Sequence, residues 1–280
     1  MTDLSPFTVP GEAPPFSDQT LVDVRAGRAV VVQEPAEGPA DGVAVVRDRE
    51  LELVVRLEAR GNGIGTRLVE QALALGDGVA PRLAWAHGDG PAARAIATRY
   101  GWAATRTLLQ LRAPVPDTGA APGLPAGHTL SGAVIGTDAP SADETDWLAL
   151  NGAAFAHHPE QGSMTLDDLR AREAEPWFSG DDLLLLRDAS GALVGSCWLK
   201  VDDGVGEFYA VAVRPDQQGR GLGGVLMRAG SARLVGRGLQ AQALYVEGDN
   251  EPALALYRRS GFTQHAIDVQ YAAPEHLPGR

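Results

Sequence analysis

The chain has 280 residues, with 24 basic and 36 acidic side chains, so its formal net charge is −12. This charge disfavours nucleic acids and anionic membranes as partners, because an acidic surface does not attract either of them. A single cysteine, Cys197, excludes an internal disulfide, and we find neither a signal peptide nor a membrane span. We therefore expect a cytoplasmic protein, and the length predicts about two domains.

The first half contains an apolar strand followed by a glycine-rich loop. The strand covers Leu53–Val55, and glycines follow at positions 61, 63 and 65. Glycine adopts backbone angles that are closed to other residues, and the start of a helix offers unpaired N–H groups and a partial positive charge. This segment therefore predicts a turn that binds an anion.

Residues 113–127 separate the two halves of the chain. The stretch contains four prolines and three glycines, a composition that is typical of a linker and unfavourable for a core element. The predicted domains are therefore 1–112 and 128–280, joined by a linker at 113–127.

Helices and strands alternate through the second half. Apolar periodicity predicts helices over Asp143–Phe155, Leu166–Glu175 and Pro252–Ser260 and a further one starting at Gly223. It predicts strands over Asp182–Arg187, Ala192–Val201, Glu207–Val213, Ala243–Val246 and Ile267–Tyr271. This mixture predicts an α/β fold around a central sheet.

The pattern of strand, glycine loop and helix occurs twice. Leu53–Arg56 and Gly61–Thr66 match Val211–Arg214 and Gly219–Gly224 at an offset of 158, and 92–102 matches 252–262 at an offset of 160. The repeat predicts one domain per half. Residues 219–224 also spell the dinucleotide fingerprint G-x-G-x-x-G, but five residues separate the strand from the first glycine, which weakens that alternative.

Three segments of the second half resemble the GNAT N-acetyltransferase family. Gln218–Gly223 resembles the family's Arg/Gln-x-x-Gly-x-Gly/Ala loop, whose amides hold the diphosphate of acetyl-CoA. Val211–Val213 resembles the strand that pairs with the pantetheine arm, and Asn250–Phe262 resembles the last motif, Asn-x-x-Ala-x-x-x-Tyr-x-x-x-Gly-Phe. The resemblance implies two tandem GNAT domains, each with a mixed, mostly antiparallel sheet flanked by helices. It also implies acetyl-CoA as co-substrate and no metal.

The resemblance further implies two sets of cofactor-binding residues. In the second domain they are Val211, Ala212, Val213, Gln218, Gly219, Arg220, Gly221, Leu222, Gly223, Gly224, Asn250, Glu251, Pro252, Ala253, Leu254 and Ala255. In the first they are Leu53, Val54, Val55, Gly61, Asn62, Gly63, Ile64, Gly65 and Thr66.

The two halves differ at the positions where chemistry is done. Acetyl transfer to an amine needs a base for the amine, a hydrogen bond to the thioester carbonyl and a proton for the leaving thiolate. The resemblance implies Glu207 as the base, the Val211 N–H as the carbonyl donor and Tyr257 as the acid. Glu207, Tyr257 and Asn250 align with Arg49, Ala97 and Gly90 in the first half, so we expect a degenerate first domain and a catalytic second one.

Several of these residues also have an ordinary structural interpretation. Glu207 is compatible with a solvated strand end, and Tyr257 with an aromatic side chain of the core. Cys197 lies in an apolar strand, where a buried packing role is the expectation. Adjacent side chains such as His157 and His158 point apart and lack further ligands at metal-binding spacing, so we expect no metal.

Nearly the whole chain also resembles one tandem-domain family, the mycothiol synthases. The segments that carry the resemblance are 83–88, 151–162, 207–213 and 243–250. It implies a monomer that acetylates the cysteinyl amine of Cys-GlcN-Ins, a cysteine amide-linked to glucosaminyl-inositol. The implied substrate-binding residues are Asp18, Glu160, Lys200, Glu207 and Tyr245. Only fifteen residues precede Phe16, where this family has a strand and a helix, so we expect either a first domain that is shortened at its start or a start codon that is placed late.

Two other functions remain open from the sequence. One is an acetyltransferase for another amine, such as a protein N-terminus or an aminoglycoside, which assays with a panel of amines would reveal. The other is a non-catalytic acyl-CoA sensor built from two degenerate domains. The presence of Glu207, Tyr257 and Asn250 in one half disfavours the sensor.

Overall fold

The computed structural model of the protein describes residues 4, 7–9, 12–117, 123–156, 161–202 and 204–274. Contacts between Cα atoms divide these residues into two compact units. The first unit comprises the described residues up to Leu109, together with Glu247–Asp249 and the described residues from Ala266 onward. The second unit comprises the described residues of Gln110–Val246 and Asn250–His265.

The first unit is built around a mixed sheet. Its elements are α1 (Asp18–Arg25), β1 (Val30–Glu34), β2 (Gly42–Arg47), β3 (Glu50–Val55), α2 (Ile64–Leu73), β4 (Leu83–His87), α3 (Pro91–Tyr100), the first part of β5 (Ala103–Pro114) and most of β11 (Thr263–Ala272). The strand order is β1-β2-β3-β4-β11-β5. Strand β2 is almost entirely buried, and apolar side chains of β2, β3 and α2 form the core on one face of the sheet.

The second unit repeats the same plan. Its elements are the end of β5, β6 (Thr129–Gly132), α4 (Ala142–Ala154), α5 (Leu166–Glu173), β7 (Leu183–Arg187), β8 (Leu193–Asp202), β9 (Val205–Val213), α6 (Leu222–Gly236), β10 (Ala241–Glu247, of which Glu247 belongs to the first unit), α7 (Glu251–Arg259) and the start of β11. The strand order is β5-β10-β9-β8-β7-β6.

Local sequence signals explain where the helices of the second unit begin. Both α4 and α5 start with a capping box, formed by Ser141 with Glu144 and by Thr165 with Asp168, which satisfies backbone N–H groups of the first turn. The helices and strands predicted in the second half are confirmed, with ends that differ by a few residues. Among the described residues, no helix has the length and apolarity needed to cross a bilayer.

Two features differ from the expectation for the domains. Strand β11 was predicted as part of the second domain, but most of it lies in the first unit, because Asp268–Ala272 pairs antiparallel with β4. The predicted linker begins inside β5, where Ala113 is buried, and Val115 donates a backbone hydrogen bond to the Gln240 carbonyl at 2.9 Å. The division into 1–112, 113–127 and 128–280 otherwise stays a prediction.

Candidate active site

The glycine-rich turn of the second unit joins β9 to α6. After a short 3-10 turn at Pro215–Gln217, Gly219 and Gly221 adopt φ angles of 76° and 82°, in the left-handed region that favours glycine. Gly221 is the N-cap of α6 and, as a glycine, has no side chain that could cap the first turn. The N–H groups at the start of the helix therefore face a site suited to an anion.

The first unit has the same turn between β3 and α2. Its 3-10 turn covers Leu57–Ala59, and Gly61 and Gly63 have φ angles of 80° and 74°. Gly63 is the N-cap of α2, again without a side-chain cap. The predicted sequence repeat is therefore also a repeat of backbone conformation.

In both units, two parallel strands diverge beside this turn. Pairing of β9 with β10 runs from Val205 and Ala241 to Phe208 and Leu244 and ends there. On its other edge, β9 stays paired with β8 as far as Val213. Pairing of β3 with β4 likewise covers only Glu50–Leu51. The edges of Val211–Val213 and Leu53–Val55 that face the diverging strand can therefore accept an extended ligand.

Tyr257 and Asn250 lie at the helix that closes the second unit. Asn250 is the N-cap of α7, and its Oδ1 accepts a hydrogen bond from the Ala253 N–H at 3.2 Å. Tyr257 is half-buried, with its ring 6.2 Å from that of Phe262. Burial, together with the neighbouring Cys197 sulfur, raises the pKa of Tyr257 to about 12. The phenol therefore keeps its proton throughout the neutral range and can donate it.

Glu207 and Lys200 face each other across the β8–β9 ladder. Glu207 is half-buried and Lys200 is buried. The register shifts next to this pair, because Leu199 is opposite Phe208 and Trp198 is opposite Ala210. Tyr209 is thus the extra residue of a bulge. Because side chains alternate along a strand, Tyr209 lies on the same face as Glu207, which is two residues before it.

The other substrate-binding residues predicted from the resemblance come from other segments of the chain. Tyr245 is an exposed residue of β10, and its hydroxyl accepts a hydrogen bond from Gln110 Nε2 at 2.7 Å. Asp18 is the first residue of α1 in the first unit. Glu160 lies outside the described residues, as do His157 and His158.

Cys197 is completely buried in β8, which confirms the packing role predicted for it. Burial raises the pKa of its thiol far above the usual range, so a thiolate nucleophile is disfavoured. Within the described parts of the chain, no cluster of three or more His, Cys, Asp or Glu could hold a metal ion.

The first unit lacks the chemical groups found in the second. At the position aligned with Glu207, Arg49 donates from Nε to the Ala80 carbonyl. At the position aligned with Tyr257, the small side chain of Ala97 is buried in α3. Gly90 caps α3 without a side chain. The turn and the diverging strands are therefore retained without a carboxylate, phenol or amide at these positions.

A cavity of about 800 Å³ lies next to the turn of the first unit, a volume typical of small-molecule sites. It is lined by Leu53, Val55, Gly61, Gly65 and Ala97, among other residues. His87 also lines it.

His87 belongs to a buried charged group that was not predicted from the sequence. Its Nδ1 lies 3.1 Å from Asp268 Oδ2 and its Nε2 lies 3.7 Å from Glu52 Oε2. Glu52 also accepts hydrogen bonds from the Ser17 N–H and the Thr20 hydroxyl. Burial alone would lower the pKa of His87, but the hydrogen bonds and charges of Asp268 and Glu52 outweigh it and raise this pKa to about 9.

The charged state of His87 predicts a pH-dependent stability for the first unit. Because its pKa is raised from 6.5 to about 9 on folding, the stabilisation is fully present below pH 6.5 and is lost as the pH rises through 9. Its maximum is on the order of 3 kcal/mol. His87→Gln should therefore lower the unfolding temperature most at pH 6 and much less at pH 10. A difference from wild type that is the same at both pH values would contradict the charged imidazolium.

Sequence analysis also missed a group of aromatic side chains beside Glu207 and Lys200. We name it the aromatic cluster, and its members are Trp147, Trp177, Phe178, Trp198 and Tyr209. Tyr209 lies in the bulge, and its hydroxyl accepts a hydrogen bond from Arg172 Nε at 3.0 Å. These residues come from four separate segments, so no local pattern could have grouped them.

Comparison with known proteins identifies the class of the fold and the turn. Residues 147–262 match the model of the Acetyltransferase (GNAT) family. A tandem GNAT protein from the clavulanic acid biosynthesis pathway has the same fold, with a TM-score of 0.68, 19% identity, and coverage of 96% of this chain and 91% of that one. An acetyltransferase of the GNAT family from Colwellia psychrerythraea gives a TM-score of 0.65 at 12% identity, with coverage of 94% and 91%. The predicted fold class is confirmed.

Closer relatives are found among curated proteins. The mycothiol acetyltransferase of Clavibacter michiganensis subsp. michiganensis is 46% identical over 92% of this chain and 85% of its own length. That of Thermomonospora curvata is 43% identical over 93% and 88%. The chain belongs to the mycothiol acetyltransferase family, which confirms the predicted acyltransferase and the resemblance on which that prediction depended.

Proposed function

We propose that the second unit transfers an acetyl group from acetyl-CoA to the cysteinyl amine of Cys-GlcN-Ins, giving mycothiol and CoA. One observation carries this proposal. The anion-binding turn, the diverging strands and the Glu207–Lys200 pair occur in the same unit, in a chain that is closely similar to proteins named mycothiol acetyltransferase.

The cofactor site of the second unit is proposed along β9 and the turn that follows it. The amides of Gln218–Gly224 would hold the diphosphate at the uncapped start of α6. The free edge of Val211–Val213 would pair with the pantetheine arm, as a strand pairs with a peptide. The start of α7, Asn250–Ala255, would complete the site. Glycines with left-handed backbone angles, and the backbone N–H groups of the first helical turn, which have no acceptor within the helix, are the features that a diphosphate requires.

Three groups of the second unit would carry the chemistry. Acetyl-CoA supplies an activated acyl group, whose carbon forms a bond to the substrate nitrogen as its bond to sulfur breaks. Glu207 would accept the proton of the attacking amine, and the Val211 N–H would donate to the carbonyl oxygen as negative charge develops there. Tyr257 would give its proton to the departing thiolate. Both substrates are bound together, so no covalent intermediate on the protein is needed.

Charged and hydroxyl side chains would bind the pseudo-disaccharide. Glu207 is suited to an ammonium group, and Lys200 can donate to the acceptors of a polyol. The Tyr245 hydroxyl, which accepts the Gln110 hydrogen bond, would add a polar contact to a substrate hydroxyl. Asp18 and Glu160 stay predictions from the family resemblance.

We infer that the first unit binds a second acyl-CoA without transferring its acyl group. Its cavity, turn and free β3 edge support binding, whereas Arg49 and Ala97 replace the proposed base and acid. Titration calorimetry should therefore give two acetyl-CoA sites per chain. A Gly63→Asp variant, which puts a carboxylate and a β-carbon at a left-handed residue of the turn, should leave one site and full turnover. A single site in the wild type would contradict this inference.

We propose a cytoplasmic monomer whose partner is a small-molecule amine. The net charge of −12 supports the expectation that neither nucleic acids nor membranes are partners.

Product analysis tests the proposed reaction. Purified protein is incubated with acetyl-CoA and Cys-GlcN-Ins, and both the acetylated amine and free CoA are measured. The proposal predicts one mycothiol per CoA released. Turnover of another amine in a panel, together with none of Cys-GlcN-Ins, would overturn the proposed substrate, and absence of any turnover would favour the acyl-CoA sensor.

A further inference from the structure

Of the three indoles in the aromatic cluster of the second unit, one is neither fully buried nor explained by the proposed chemistry. Trp147 and Trp198 are enclosed in the core, with 1% and 0% of their surface exposed. Trp177 is only half-buried. It follows α5, which ends at Glu173, and its ring lies 6.0 Å from the Trp198 ring. Part of the Trp177 indole is thus exposed to solvent, while the rest of it packs against the other rings of the aromatic cluster.

Trp177 borders the pair proposed to bind the acceptor. The Lys200 ammonium lies 5.7 Å from the Trp177 ring centroid, within the range of a cation–π interaction. The Tyr209 ring, from the bulge two residues after Glu207, lies 5.4 Å from Trp177. Arg172 donates to the Tyr209 hydroxyl and so fixes this neighbour. The position of Trp177 is therefore set by contacts on the same face as Glu207.

The proposed acceptor has a part that suits such a ring. Glucosamine and inositol are six-membered rings that carry C–H groups between their hydroxyls. Packing of those C–H groups against an aromatic ring removes apolar surface from water, while the hydroxyls at the rim remain available for hydrogen bonds. The cysteinyl amine, at the other end, would be left beside Glu207.

We propose that Trp177 is a specificity-determining residue that packs against a ring of the pseudo-disaccharide, with Lys200 and Tyr209 holding its indole in place. This inference rests on the proposed function, because it takes Cys-GlcN-Ins as the acceptor. Contact with Trp177 orients the substrate, so that its sugar lies on the aromatic cluster and its amine lies at Glu207. Acceptors that lack both rings gain nothing from Trp177.

Two acceptors separate recognition of the rings from the chemistry of the amine. Trp177→Ala is assayed with Cys-GlcN-Ins and with cysteinamide, which carries the same amine without the rings. We expect KM for Cys-GlcN-Ins to rise by roughly 10–100-fold at little change in kcat, and kcat/KM for cysteinamide to stay at the wild-type value. Trp177→Phe, which keeps an aromatic face, should recover most of the loss.

Three outcomes would overturn the inference: an unchanged KM for Cys-GlcN-Ins, an equal loss for both acceptors, or no recovery in Trp177→Phe. If thermal unfolding shows that Trp177→Ala is destabilised, Trp177→Leu provides the same comparison with more of the volume retained. Failure of the proposed function itself is distinguishable, because the wild-type protein would then not acetylate Cys-GlcN-Ins.

Discussion

Replacement of Glu207 by glutamine is expected to lower kcat by about 10²–10⁴-fold while leaving the affinity for acetyl-CoA unchanged. An α-amine with a pKa of roughly 7.7–8 is mostly protonated at neutral pH, so removal of the proposed base leaves the amine in its unreactive form. Glu207 lies on β9, ahead of the proposed cofactor edge at Val211–Val213, and for this reason cofactor binding should survive. Steady-state kinetics and calorimetry measure the two quantities separately.

The pH dependence sharpens this test. Above pH 8 the amine loses its proton without help, so the deficit of Glu207→Gln should shrink as the pH rises. Glu37→Gln removes the same charge at an exposed residue of the first unit and should match the wild type throughout. A deficit that does not vary with pH, or a loss of acetyl-CoA binding, would contradict the role of a general base.

Tyr257→Phe is the second substitution for which we expect a large effect. The phenylalanine keeps the ring that packs near Phe262 but lacks the hydroxyl that would protonate the thiolate of CoA. With a pKa of about 12, this hydroxyl is protonated at neutral pH, the state from which a general acid donates. We expect kcat to fall by about 10²–10⁴-fold, as measured by the rate of free thiol release.

Calorimetry and thermal unfolding provide the controls for Tyr257→Phe. The dissociation constant of acetyl-CoA and the unfolding temperature should both stay close to their wild-type values. A large loss of acetyl-CoA affinity at normal kcat would instead assign Tyr257 to packing against the ligand. An unchanged kcat and affinity would leave it as an aromatic side chain of the core, the structural alternative considered from the sequence.

The sequence was most informative where a backbone conformation requires a particular residue type. The left-handed angles at Gly219 and Gly221 recur at Gly61 and Gly63, and only glycine adopts them without strain. The repeat, the turn and the helix starts could therefore be predicted from local patterns alone.

Pairing between distant segments could not be predicted in the same way. Strand β11 joins β4 through residues that are about 180 positions apart, as in the hydrogen bond from the Gly88 N–H to Asp268. The alternation of apolar residues predicts that such a strand exists, but it does not specify its neighbour. The prolines and glycines of 113–127 predicted a linker, whereas β5 continues to Pro114. A proline at the last position of a strand does not interrupt the pairing before it.

Part of the candidate site was available from the sequence and was overlooked. The sequence Asp-Gly at 203–204 is a pattern typical of two-residue hairpin turns. The antiparallel pairing of β8 with β9 places Lys200 opposite Glu207. The bulge at Tyr209 then breaks the alternation of faces. Trp177 belongs to a different segment of the chain, so its approach to Tyr209 required the three-dimensional structure.

The central claim is that main-chain amides of the second unit hold the diphosphate of acetyl-CoA next to the face that carries Glu207. A crystal structure of the protein with bound CoA tests it most directly. We predict diphosphate density over the turn of Gln218–Gly224, with the pantetheine arm along Val211–Val213. CoA found only in the first unit, or bound in the second unit away from this turn, would contradict the claim.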